Sequence, residues 1–240
     1  MKLPMRDFFG RTGHRRPPRQ TITLEYPVDC KPRWGYETPN PFLYGIIDQK
    51  RATYRSHLQA FTGLIEDFAR IDARPGPDAR PSDPCWINGW LPALDSVALY
   101  AFLVLNRPAH YLEVGSGNST KFARRAIADH GLPTKIISID PSPRADINDI
   151  CDRTIREPVE SVPVEVFDLI GANDILFIDS SHRVLMNSDV TALFLDVLPR
   201  LKPGVLVEIH DVTLPYDYPA AWTGRCDSGT PPPPSPSGGR

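Results

Sequence analysis

The 240-residue chain predicts an α/β fold, a doubly wound, mainly parallel sheet. Three observations carry that expectation. From Tyr111 onward, short apolar runs alternate with segments of helical spacing, the pattern of parallel βαβ units. The run Tyr111-Leu112-Glu113-Val114-Gly115 breaks into Ser116-Gly117-Asn118-Ser119-Thr120 and resumes as Lys121–Ile127 at helical spacing, so strand, glycine turn and helix follow one another. Near the other end, Lys202-Pro203-Gly204 stops a helix and turns the chain into a final apolar strand.

The elements follow in order. Residues 1–45 form a basic, Pro-rich, aperiodic arm. Residues 46–110 form a helical extension. In it, Asp48–Ile71 reads as one amphipathic helix with Tyr54, Leu58, Phe61, Leu64, Ile65 and Phe68 on one face. Arg74–Pro84 is a loop, with four prolines and one glycine. Trp86-Ile87-Asn88-Gly89-Trp90 leads into a helix over 95–105 with Asp95 as its cap. Trp86, Trp90 and Tyr100 are read either as core or as the floor of a substrate pocket. Residues 111–222 form the ligand-binding domain, with strands at 111–115, 135–140, 153–156, 174–179 and 204–210 and a helix from Ser188 to Leu201. Residues 223–240 hold five prolines, four glycines and no large apolar side chain. A segment so composed cannot offset its ordering entropy and is expected to be disordered.

Composition excludes several classes. The net charge of −2 argues against generic nucleic-acid binding, although residues 1–35 carry eight Lys/Arg against three Asp/Glu. The first twenty residues lack the apolar core of a secretion signal, and no run reaches the roughly 20 apolar residues of a membrane span. Cys30, Cys85, Cys151 and Cys226 are isolated, which fits a reducing cytoplasm and excludes a zinc ribbon.

The glycine turn leaves the first N–H groups of the following helix aimed at whatever lies above it. A dinucleotide fingerprint needs glycine at its sixth position, where this chain has Thr120, and Glu113 would repel phosphate. Asp140 ends the second strand 23 residues after Gly117, where a ribose-binding carboxylate is expected. Ribose hydroxyls, a cationic amino-acid portion and no phosphate describe S-adenosylmethionine. Glu113 would accept hydrogen bonds from its ammonium group, directly or through water.

The order Glu113-x-Gly115-x-Gly117, Asp140 and Asp174-Ile175-Leu176-Phe177-Ile178-Asp179-Ser180-Ser181-His182 resembles a class I S-adenosylmethionine-dependent methyltransferase. The likeness is closer to a bacterial small-molecule group with GSGxST, FIDSSH and HD-x-x-x-P-x-x-Y-P motifs, and it covers residues 85–222. It implies the Rossmann-like class I fold and a cofactor site formed by Glu113, Gly115, Ser116, Gly117, Ser119, Asp140 and Asp179. Asp179, His182, His210 and Asp211 then gather at the ends of two neighbouring strands. His210 is the expected general base, assisted by Asp179 and His182, and activity through it would fall as pH drops through the imidazole range. Some similar sugar and macrolide methyltransferases bind Mg²⁺, which would assign Asp179, His210 and Asp211 to a metal. Histidine is a poor magnesium ligand. Similar proteins often have His where Glu208 stands, which leaves the role of Glu208 open.

The resemblance implies O-methylation of a small acceptor, a sugar or secondary metabolite, without nucleic-acid or membrane partners. Two alternatives stand beside it: a non-catalytic or truncated S-adenosylmethionine-binding protein, and an NAD-dependent oxidoreductase disfavoured by Thr120 and Glu113. Similar proteins continue past the position of Trp222 with an aromatic helix and two more strands. The carboxyl-terminal strands are therefore expected to be missing here, as from a truncated or frameshifted reading frame. The last strand would then be an open edge available for homo-oligomer pairing, and the chain would fold poorly.

Overall fold

The computed structural model describes residue 25 and residues 31–220. Expectations for residues 1–24 and for the tail 223–240 lie outside the described residues, as do Cys30 and Cys226. Cys85 and Cys151 are free thiols. No helix among the described residues is long and apolar enough to cross a membrane.

Four helices precede the sheet: α1 (Pro41–Asp48), α2 (Arg51–Thr62), α3 (Ile65–Ala69) and α4 (Ala93–Asn106). The single amphipathic helix expected over 48–71 is instead two, broken at Gly63-Leu64. Of its apolar face, Phe61 is buried and Leu64 and Phe68 pack on the core, while Tyr54, Leu58 and Ile65 stay exposed. The end of the arm expected to be aperiodic is ordered: Asn40 caps α1 by accepting from the Phe42 and Leu43 N–H groups. The helix expected from Asp95 starts earlier, at Ala93, with Pro92 as its cap residue. Asp95 therefore sits in the first turn with its carboxylate available elsewhere.

The sheet follows: β1 (His110–Val114), α5 (Asn118–His130), β2 (Lys135–Ile139), β3 (Arg153–Ile155), β4 (Ile175–Ile178), α6 (Asp189–Ala192) and β5 (Leu206–Ile209). Its order is β3-β2-β1-β4-β5 and every pairing is parallel, which bears out the doubly wound α/β expectation. The chain winds outward from β1 through β2 to β3, then returns to the other side of β1. Between β1 and β4 the winding reverses, and there the carboxyl ends of the strands open a crevice. Among the described residues no further strand pairs with β5.

Alternation along the strands sorts side chains to two cores. Tyr111, Ile136, Ile175 and Phe177 face α4 and α5, joining Leu99, Tyr100, Phe122 and Ala126. Leu112, Val114, Ile137, Ile139, Leu176 and Ile178 face the opposite layer, where Val159, Phe167, Leu193 and Val197 pack. The helix expected over 188–201 is present but changes winding. Ser188 caps α6 through Thr191 N–H, a π turn covers Leu193–Val197, and a 3₁₀ turn ends it over Leu198–Arg200. Pro199 explains the change, because it has no N–H to give and its ring crowds the preceding turn.

Candidate functional site

The two glycines of the turn have different duties. Gly115 has φ +83°, and a Cβ there would stand 1.8 Å from the Asp179 carbonyl oxygen. Glycine at this position lets the end of β1 close onto the end of β4, where Asp179 N–H donates to Val114 O at 2.8 Å. At Gly117 a Cβ would meet nothing within 4 Å. Gly117 is the cap residue of α5, so open space lies at the amino end of a 13-residue helix.

Glu113 lies beneath this turn and not in the crevice. It is fully buried. Its Oε1 accepts from Thr120 Oγ1 at 2.5 Å, and its Oε2 accepts from Ser119 Oγ and Tyr111 Oη at 3.1 Å each. Burial pushes this carboxyl up to about 7, against the pull of the hydroxyls. The expected contact with a ligand ammonium thus meets a carboxylate already engaged with the first turn of α5. Ser119 is turned inward with it.

Asp140 holds the other side of the turn. Its Oδ2 accepts from Ser116 N–H at 2.8 Å and its Oδ1 from Ser142 N–H at 2.7 Å. Ser116 Oγ meets Ser138 Oγ at 2.6 Å. Over the carboxyl ends of β1, β2 and β4 lies a cavity of about 430 Å³, lined among others by Gly115, Ser116, Asp140, Arg144, Asp179 and Asp189. Of the seven expected cofactor residues, Gly115, Ser116, Asp140 and Asp179 line it; Glu113, Gly117 and Ser119 do not. The Arg144 guanidinium sits 4.3 Å above the Trp90 ring. Tyr100, by contrast, is wholly core, its hydroxyl donating to Asp129 at 2.8 Å, and Trp86 packs between Phe68 and Phe122.

Beside the cavity stand the side chains at the ends of β4 and β5, and the structure brings Asp179, His182, His210 and Asp211 together as expected. His210 is almost fully buried. Its Nδ1 lies 3.4 Å from Asp179 Oδ1 and 3.5 Å from Asp211 Oδ1, and its Nε2 lies 3.4 Å from Asp95 Oδ2. Burial alone would lower its pKa, but the Asp179 and Asp95 carboxylates, with Asp211, raise it to about 10. Asp179 is correspondingly held well below the usual carboxylate range: burial opposes this, and His182 and His210 outweigh burial. The surrounding carboxylates thus favour the protonated form of the His210 ring. This environment weighs against the expected role of His210 as base, since a ring protonated on both nitrogens has no lone pair to offer.

His182 is placed otherwise. Its Nε2 lies 3.4 Å from Asp179 Oδ1 and 3.9 Å from Asp211 Oδ2. Both His182 (φ +59°) and Asp211 (φ +54°) adopt left-handed backbone, a conformation that costs energy for non-glycine residues and collects at functional sites. Asp179, His210 and Asp211 each offer a ligand atom, all within 4.8 Å of one another. A metal there would compete with a proton for the His210 ring.

Two residues went unrecognised in the sequence. Asp95 was read as a cap, and nothing local announces that α4 delivers it to His210. Glu208, whose role stood open, is half-buried two residues before His210 with Oε1 buried and unpartnered, and burial first, then Asp95, raises it to about 7.

Residues 112–212 match a family model described as a methyltransferase domain. No curated protein and no solved structure matches the chain. The matched span runs from β1 to just beyond Asp211, so it takes in the glycine turn, Asp140 and the strand-end cluster, and it supports a methyltransferase domain on this Rossmann-like sheet.

Proposed function

We propose that this chain is an S-adenosylmethionine-dependent methyltransferase that methylates a hydroxyl of a small molecule. One observation carries the reading: the cavity over the glycine turn, bounded by Asp140, has Asp179 in its wall, so the cofactor crevice adjoins the acid–imidazole cluster. Its volume lies in the range of small-molecule sites, roughly 300–1,000 Å³. The residues present suit the cofactor. Asp140 keeps lone pairs for ribose hydroxyls beyond the two N–H groups it already accepts, and Gly115 and Ser116 bring the backbone of the turn to the cavity wall.

When bound, S-adenosylmethionine supplies an electrophilic methyl: the acceptor oxygen bonds to that carbon, the carbon–sulfur bond breaks with its electron pair kept by sulfur, and the hydroxyl proton remains to be removed. Removing it falls to His182. Its Nε2 is the ring nitrogen nearest Asp179 and Asp211, which leaves Nδ1 as the nitrogen to take the proton. His210, whose protonated form the surrounding carboxylates favour, serves as a positive partner. It holds Asp179 ionised, and Asp179 in turn orients His182. Asp179, His182 and His210 thus work as a unit, with the base moved from His210 to His182.

Calorimetric titration of the purified chain with S-adenosylmethionine and, separately, with NAD tests the cofactor. Saturable binding of the first and none of the second is expected; the reverse would replace the reading with an oxidoreductase. Transfer of labelled methyl to a panel of alcohols and phenols tests the reaction. Binding without transfer to any of them would leave a non-catalytic binder, and activity lost in EDTA and restored by a divalent ion would put a metal in place of the proton on His210.

A further inference from the structure

The loop that carries Asp140 is weakly held by the strand beside it. β3 is an edge strand of three residues, Arg153–Ile155, two of them exposed. Its pairing with β2 ends at Ile139 and Ile155, and Asp140 follows directly, its N–H donating to Ile155 O at 3.0 Å. Pro141 and Pro143 come next, and neither has an N–H with which to extend the ladder.

Arg156, the residue after β3, supplies the fastening. Its Nη1 donates to the Asp140 carbonyl and to Ser138 Oγ, at 3.0 Å each. Its Nε and Nη2 donate to Asn148 Oδ1, at 3.2 and 2.6 Å, in the connection between β2 and β3. Arginine has only donors, so Ser138 Oγ accepts from it and keeps its own hydrogen for Ser116 Oγ, 2.6 Å away. Ser116 N–H in turn donates to Asp140 Oδ2 at 2.8 Å. The bonds run in a closed circuit from Arg156 through Ser138, Ser116 and Asp140 back to Arg156. Ser116, on the turn after β1, and Asp140, on the loop after β2, both line the cavity; Arg156 does not. A planar guanidinium holds two such loops in one geometry, which a lysine ammonium, a point charge on a flexible stem, does not.

We propose that Arg156 is a positioning residue for the cofactor, fixing the Asp140 carboxylate relative to the glycine turn without touching the ligand itself; this rests on the S-adenosylmethionine reading of the cavity. Because Arg156 acts through Asp140, removing its donors costs affinity only while the Asp140 carboxylate is there to be placed.

The test is a double-mutant cycle on the full chain, with S-adenosylmethionine affinity measured by calorimetry for wild type, Arg156→Met, Asp140→Ala and the double variant. Methionine keeps an unbranched stem and none of the donors. Arg156→Met is expected to weaken binding about tenfold or more when Asp140 is present, and by less than about threefold in the Asp140→Ala background. Equal losses in the two backgrounds would make Arg156 a support of the fold alone and overturn the proposal. Wild-type affinity in Arg156→Met, or in Asp140→Ala, would overturn it as well. Urea midpoints on the same samples check the fold. If Arg156→Met is unfolded, Arg156→Lys, which keeps the charge but not the planar fork, carries the same cycle with the same pattern expected. If wild type itself binds no S-adenosylmethionine, the cofactor reading fails and the positioning role falls with it; an additive cycle on a wild type that binds overturns the positioning role alone.

Discussion

Replacing Glu113 by Gln should remove a pH-dependent weakness from the centre of the fold. The wild-type carboxyl is buried beneath the glycine turn, and its pKa rises from an ordinary 4.5 to about 7. The folded protein therefore holds this proton more tightly than the unfolded chain does. Its contribution to stability is complete below pH 4.5, is lost as pH rises through about 7, and changes no further above that. The gap corresponds to roughly 3 kcal/mol, of which roughly 2.5 kcal/mol falls between pH 5 and 8. An amide has nearly the same shape, does not titrate, and can still bond to the hydroxyls of Thr120, Ser119 and Tyr111, which turn to suit it. Urea titrations at pH 5, 6.5 and 8 should show wild type losing about 2–3 kcal/mol more than Glu113→Gln across that range. Glu208, raised similarly to about 7, is present in both proteins and cancels in the difference. Parallel pH curves for the two proteins would refute the placement of Glu113 as a dry, engaged acid.

Gly115→Ala should cost more than about 3 kcal/mol in denaturant titration, because its methyl collides with the Asp179 carbonyl at positive φ, whereas Gly117→Ala should cost far less stability and instead weaken S-adenosylmethionine binding. Asp140→Ala should lower S-adenosylmethionine affinity by about 5- to 150-fold in calorimetry, and unchanged affinity would remove it from the ribose site. His182→Ala should reduce methyl transfer by about 10²- to 10⁴-fold with cofactor affinity nearly intact; a smaller effect would return the base to another group. The His210 ring proton, followed by NMR, should titrate near 10 and not near the ordinary 6.5, so its ion pairing persists below neutrality and is lost only as pH rises through about 10; a midpoint near 6.5 would restore it as a base.

Much of this was legible in the sequence because it is local. The strand–glycine–helix order, the acid closing β2 and the apolar runs of β1, β2, β4 and β5 depend on neighbours a few residues apart, and each element stands within a few residues of its expected place. What failed to show depended on packing. Glu113 stands next to the ligand turn in sequence, yet strand alternation directs it inward, toward hydroxyls one turn along α5. Asp95 looked like a cap because helix starts favour aspartate, and only the docking of α4 on α5 carries it to His210. The acidic surroundings of His210 were hidden for the same reason, since Asp95, Asp179 and Asp211 come to it from different elements.

That docking makes the matched span, residues 112–212, an unsuitable cassette for exchange between proteins. Cut at its borders, it would leave behind Asp95, the partner of His210 Nε2, and Tyr100, whose hydroxyl meets Asp129 on α5. It would also lose Trp34 and Asn40, whose backbone groups pair with Asp217 and Pro215 where the chain leaves β5. A chimera that kept the sheet but borrowed another protein's leading helices would inherit the crevice over the glycine turn with one carboxylate fewer beside His210. Any graft intended to keep these contacts must therefore begin near residue 33 and extend through the loop after β5.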